Sequence, residues 1–67
     1  MHILVNDRPR EVAEDSELAS LAATELGNVV QGVALAVNGA VVPRSCWPEH
    51  RLRPGDKVLI VKAVQGG

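Results

Sequence analysis

Aromatic side chains are almost missing from this chain: Trp47 stands alone, with no Phe and no Tyr beside it. A single ring offers no platform for stacked bases, and a formal net charge of −1 lacks the basic footprint of a phosphate binder. Nucleic acid is therefore not an expected partner. Cysteine is equally scarce. Cys46 has no second thiol with which to close an intrachain disulfide. Together with the want of a signal peptide and of any long apolar run, it points to a reducing cytoplasm and away from a membrane.

What the chain does have is aliphatic: eleven Val, seven Leu and two Ile in 67 residues. That length allows one domain with one core, and so small a domain buries only about 60% of its unfolded surface. The dominance of valine favours strands, because branching at Cβ suits a pleated, half-buried surface. Charge is unevenly spread. Residues 1–33 carry six carboxylates against two arginines, a net −4, and residues 34–67 carry five cations against two carboxylates, a net +3. Such a split can steer an encounter. We read it first as solvated surface.

Residues 2–5 are a short apolar run, followed by Asn6-Asp7-Arg8-Pro9 with the composition of a turn, so residues 10–13 are expected to return antiparallel. Asp15-Ser16 offers N-cap oxygens for a helix, with Glu17 in its first turn. Leu18, Leu21, Ala22 and Leu26 then recur at helical spacing, and Gly27 is placed to end the helix in the left-handed region. Residues 33–37 read as a strand, Asn38-Gly39 as a type I′ hairpin turn, and residues 40–42 as a short return strand closed by Pro43. Residues 44–53 are irregular. Pro54-Gly55-Asp56 makes a further turn before the longest strand, residues 57–64. The order implies an α+β fold, a mixed sheet of four to five strands with one helix packed on one face.

One helix covers one face only, yet the last strand is apolar on both. Val58, Ile60 and Val64 alternate with Leu59, Val61 and Ala63. A strand apolar on both sides of a sheet covered on one side leaves one of these sets as a patch facing water. The patch runs into Gln65, Gly66 and Gly67. At about 7% glycine in ordinary sequence, a chance Gly-Gly ending arises roughly once in 200 chains. We read residues 1–64 as the domain and 65–67 as a flexible C-terminal diglycine arm. Its unhindered carboxylate can be threaded into another enzyme's active site, and a partner holding the arm would also touch the patch.

Several motifs together carry a resemblance. They are Ile3-Leu4 with Asn6-Asp7, Ala34-Leu35-Ala36-Val37-Asn38, Val42-Pro43-Arg44 with Trp47 three residues on, Gly55-Asp56, Ala63-Val64 and Gly66-Gly67. On these, over nearly its full length, the chain resembles the bacterial sulfur carriers of thiamine biosynthesis, the ThiS family of ubiquitin-like β-grasp proteins. The resemblance implies a sheet with the first and last strands side by side at its centre, with Val58 and Ile60 on the covered side and Leu59 and Val61 facing out as the partner-docking patch. It implies a protein co-substrate rather than an enzyme, with no bound cofactor and no catalytic residue of its own. A partner similar to ubiquitin-activating enzymes, an adenylyltransferase using ATP, would adenylate the carboxylate of Gly67. Sulfur from a cysteine desulfurase would convert it to a thiocarboxylate, and thiazole synthase would receive that sulfur.

Other readings remain in view. A related carrier could serve molybdopterin synthesis, tRNA thiolation or cysteine synthesis. A ubiquitin-like modifier would instead join its diglycine to lysines, and a pure binding module would use no C-terminal chemistry. His2, Cys46 and His50 do not complete a recognisable metal-ligand pattern, so no metal is expected. Cys46 is read as an incidental, semi-buried cysteine rather than a persulfide relay. Trp47 is read as cover for one edge of the core. No glycine-rich phosphate loop is present, so ATP is expected to bind elsewhere.

Overall fold

The computed structural model describes residues 1–27 and 32–62. Five strands and one α-helix follow in the order β1 (His2–Val5), β2 (Arg8–Glu11), α1 (Leu18–Leu26), β3 (Val33–Val37), β4 (Ala40–Val42) and β5 (Lys57–Lys62), with a 3₁₀ turn at Arg44–Cys46. The strands form one sheet in the order β2-β1-β5-β3-β4. β1 and β5 lie parallel at its centre, and the other neighbours are antiparallel. This is the β-grasp arrangement that the resemblance implies.

Turn chemistry sets the outer hairpins. Asn38 and Gly39 both have positive φ, 52° and 86°, as a two-residue type I′ turn requires. Asn6 and Asp7, at 50° and 67°, make the same kind of turn between β1 and β2. The return strand therefore begins at Arg8, two residues earlier than the sequence suggests. Pro9 does not delay it, because β2 is an edge strand and an edge tolerates a missing amide donor.

The helix buries Leu18, Leu21, Ala22 and Leu26, the stripe anticipated from spacing. Its start departs from expectation. Glu17 is the N-cap and makes no side-chain capping bond, Asp15 has φ 62°, and the Ser16 hydroxyl donates to the Ala13 carbonyl. The reason is tertiary. The first-turn amides of Leu18 and Ala19 donate to the carbonyls of His50 and Trp47, at 2.8 and 3.1 Å, so backbone from residues 47–50 takes the role of a side-chain cap. At the other end Gly27 has positive φ but ψ −123°, outside the left-handed helical well expected, and its amide donates to Ala23.

Ile3 and Val5 of β1, Leu35 and Val37 of β3, Val42 and Val58 meet the helix stripe in a core without buried polar side chains among the described residues. Leu52 fills its end, with its amide donating to Ser16 at 2.8 Å. Trp47 is 5% exposed and its indole N–H donates to the Val42 carbonyl at 2.9 Å, so it covers the β4 edge of the core.

β5 is held at its first residue and at Ile60, two residues before its described end, by asparagine side chains from the two hairpin turns. Asn38 Oδ1 accepts from the Lys57 amide at 3.0 Å, and its Nδ2 donates to Asp56 Oδ1. Asn6 Oδ1 accepts from the Ile60 amide at 2.7 Å. No helix among the described residues is long and apolar enough to cross a membrane.

Candidate functional site

The uncovered face of the sheet is built by the register of three strands. Ala36 lies opposite Leu59 on β5 and Val41 on β4, and Ala34 lies opposite Val61. Side chains in register share a face, so these five residues belong to one surface. Leu59 is 50% exposed, Val61 48% and Val41 71%. Alanines at positions 34 and 36 leave a shallow floor between the three larger side chains. Val41 was missed by sequence reasoning. The strand assignment was available, but only the β3–β4 register shows that Val41 shares the face of Leu59.

On the covered side Val58 is buried, whereas Ile60 is only partly buried at the margin of the core. Val61, the last described patch residue on β5, lies one residue before Lys62, where the described chain stops. Ala63, Val64, Gln65, Gly66 and Gly67, including the expected reactive residue and its arm, lie outside the described residues.

Chemically reactive side chains do not gather on this face. Cys46 is exposed on the 3₁₀ turn, which corrects the semi-buried placement. Its backbone accepts hydrogen bonds from Glu49 and His50, so the short turn packs through main chain and leaves the thiol outside. His2 pairs loosely with Glu11 at 3.4 Å on the opposite half of the sheet. Among the described residues no group of three or more His, Cys, Asp or Glu is arranged to hold a metal ion. Asp56 is committed to structure: its Oδ2 accepts from the Arg53 amide at 2.8 Å and its Oδ1 from Asn38. What this face offers is apolar contact rather than acid–base chemistry.

The Arg10–Glu25 ion pair lies wholly within the acidic half of the chain and leaves the charge asymmetry between the halves unchanged. Arg10 of β2 reaches Glu25 of α1 at 2.9 Å, with the carboxylate largely shielded from solvent. Arg51 donates to the backbone carbonyl of Asp15 at 3.2 Å, a neutral acceptor.

Comparison with known proteins gives a consistent answer. The ThiS family model matches residues 3–67. The sulfur carrier protein ThiS of Escherichia coli K12 is 34% identical over 67 residues, with both chains covered in full. The crystal structure of the thiamine biosynthesis protein ThiS from Geobacter metallireducens superposes with a TM-score of 0.85 at 26% identity, again over the whole of both chains. A solution structure of a thiamine biosynthesis protein from the same organism gives 0.79 at 26% identity, covering all of this chain and 88% of that one.

Proposed function

The chain belongs to the ThiS family, and from that membership we propose that it is a sulfur carrier in thiamine biosynthesis whose reacting group is the carboxylate of Gly67. The observation that carries the reading is the family match, which runs over Gly66-Gly67 to residue 67. The exposed Leu59–Val61 patch, a few residues before the diglycine in sequence, supports it.

The chemistry follows from the resting state of the carboxylate. With an α-carboxyl pKa of about 3.3–3.7 it is ionised at neutral pH and resists nucleophiles. In the proposed cycle its oxygen attacks the α-phosphorus of ATP on an adenylyltransferase similar to ubiquitin-activating enzymes. Pyrophosphate leaves and an acyl-adenylate forms. A persulfide sulfur, charged by a cysteine desulfurase, then attacks the acyl carbon and expels AMP. A thiol reductant cleaves the resulting acyl disulfide and leaves a thiocarboxylate. Its sulfur is the nucleophile delivered to thiazole synthase. Gly66 and Gly67 suit this passage because neither carries a Cβ to crowd a narrow channel or hinder attack.

In this reading the protein is a co-substrate. ATP is bound by the adenylating partner, and the carrier holds no cofactor. Residues 1–64 are the recognition domain and 65–67 the arm. Leu59 and Val61 dock on the adenylating enzyme while the arm enters its active site. The free thiol of Cys46, exposed at the surface, fits the reducing cytoplasm as its compartment.

Intact mass spectrometry after incubation with the adenylating partner, ATP and a sulfur donor tests the reading. The expected product has one oxygen exchanged for sulfur, and the gain maps to the C-terminal peptide. A gain mapping to Cys46 overturns it, and stable conjugates to lysine would mark a modifier instead.

A further inference from the structure

β5 has two neighbours up to Val58 and only one afterwards. On the β3 side, pairing continues through Val33 and Lys62. On the β1 side, the carbonyls of Asp56 and Val58 accept from the amides of Leu4 and Asn6, both at 2.9 Å. Alternation along the strand turns the peptide groups of Ile60 to that same side. β1, however, ends at Val5, and the backbone bends away at Asn6 with φ 50°. The Asn6 side chain occupies the place of the missing strand residue. Its Oδ1 accepts from the Ile60 N–H at 2.7 Å, and its Nδ2 donates to the Ile60 carbonyl at 3.4 Å.

A primary amide carries the same donor and acceptor as a peptide group, so it can continue a ladder that the backbone has left. Asparagine suits both demands of the position. It tolerates positive φ and reaches the neighbouring strand. Aspartate would keep an acceptor for the Ile60 amide but set a carboxylate oxygen against the Ile60 carbonyl. Glycine would keep the turn and lose both bonds.

We propose that Asn6 is a positioning residue for the C-terminal arm: its amide holds Ile60 in the sheet and so sets the direction in which the chain leaves Lys62. The proposal rests on the carrier reading given above. Among the described residues the bonds of Asn6 are the last on the β1 side of β5. A strand end held in place presents the arm already aimed. A frayed end must be ordered on binding, and that ordering raises KM for the carrier. Once the arm is seated, the partner's channel fixes it, so the effect falls on KM rather than on kcat.

Asn38 supplies the control, because it grips the opposite end of β5, next to the type I′ turn. The experiment compares the full chain with its Asn6→Gly, Asn6→Asp and Asn38→Gly variants. It measures Ile60 amide exchange by NMR, thermal melting, and the kinetics of ATP–pyrophosphate exchange on the adenylating partner.

Asn6→Gly should lose protection at Ile60 while Val58 keeps its own. Its KM should rise about tenfold, comparable to the cost of fixing the backbone of one residue. Asn6→Asp, with one bond retained, should fall between it and the parent chain. Asn38→Gly should melt lower with KM unchanged. An unchanged KM in both Asn6 variants, a loss confined to kcat, or an equal rise in KM for Asn38→Gly overturns the proposal. Should Asn6→Gly fail to fold, Asn6→Asp against Asn38→Gly decides on the same criteria. Failure of the parent chain itself to be adenylated would instead reject the carrier reading, which keeps the two separable.

Discussion

Val58 and Leu59 are adjacent on β5, and the pleat sends them to opposite sides of the sheet. Val58 is 3% exposed among core residues, whereas half of Leu59 remains in water. At ~0.05–0.15 kcal/mol per residue, a domain of this length holds about 3–10 kcal/mol in all. Val58→Asp would place a carboxylate where the described core has no buried polar side chain to receive it. The effective penalty is several kcal/mol per ion, comparable to the whole stability, so this variant should be unfolded at room temperature by circular dichroism. Leu59→Asp meets solvent and should shift stability by no more than about 0.5 kcal/mol. Its effect belongs to docking. Full burial of a leucine is worth about 1.5–3 kcal/mol, so covering the exposed half yields about 1 kcal/mol. Leu59→Ala should then weaken binding to the adenylating partner about fivefold in titration calorimetry. Leu59→Asp should weaken it more than about tenfold, since the carboxylate must also be desolvated. A folded Val58→Asp beside an unfolded Leu59→Asp would place the register one residue off. Unchanged affinity in both Leu59 variants would remove the patch from the interface.

Deleting Gly67, or replacing Gly66 with Val, should abolish ATP–pyrophosphate exchange while the melting temperature stays within the ~0.5 kcal/mol expected of a surface change; an unchanged exchange rate for the truncated chain would refute the proposed role of the arm. Trp47→Phe removes the indole donor from the Val42 carbonyl and should cost about 1–3 kcal/mol, lowering the melting temperature several degrees for each of those kcal/mol; a shift near zero would show that the bond contributes nothing. Gly27→Ala meets no atom within 4 Å, so any loss measures backbone strain alone; about 1–3 kcal/mol is expected in chemical denaturation, and a neutral result would mean that the helix end relaxes freely.

The parts of the fold written locally were readable from sequence. Alternation and branching at Cβ placed β1, β3 and β4 at their observed bounds, and the Asn38-Gly39 pair fixed the hairpin between the last two. The helix stripe was legible for the same reason, since spacing along one chain decides which side chains share a face. Local signals failed where another segment supplied the interaction. Asp15 and Ser16 have the composition of a cap, but the carbonyls of Trp47 and His50 arrive from a loop about thirty residues later and satisfy the first-turn amides of Leu18 and Ala19. Pro9 looked like part of a turn because its edge position, decided by the whole sheet, was not visible in the dipeptide.

The candidate site divides along the same line. Alternation in β5 separates Leu59 and Val61 from Val58 and Ile60, yet alternation alone does not say which set the helix covers. The β-grasp resemblance supplied that choice, and the exposures in the structure agree with it. Val41 joins the patch only through its pairing with Ala36 across β3 and β4, a register that no single strand contains. Asn6 is the clearest instance of a residue with two meanings. In the sequence it reads as turn chemistry beside Asp7, which its φ of 50° confirms. Its second role, two hydrogen bonds to a residue 54 positions away, needs the parallel contact of the first and last strands. Such a pairing joins the chain's beginning to the strand nearest its end, so the residue that shapes the first hairpin is also placed to steer the C-terminal arm.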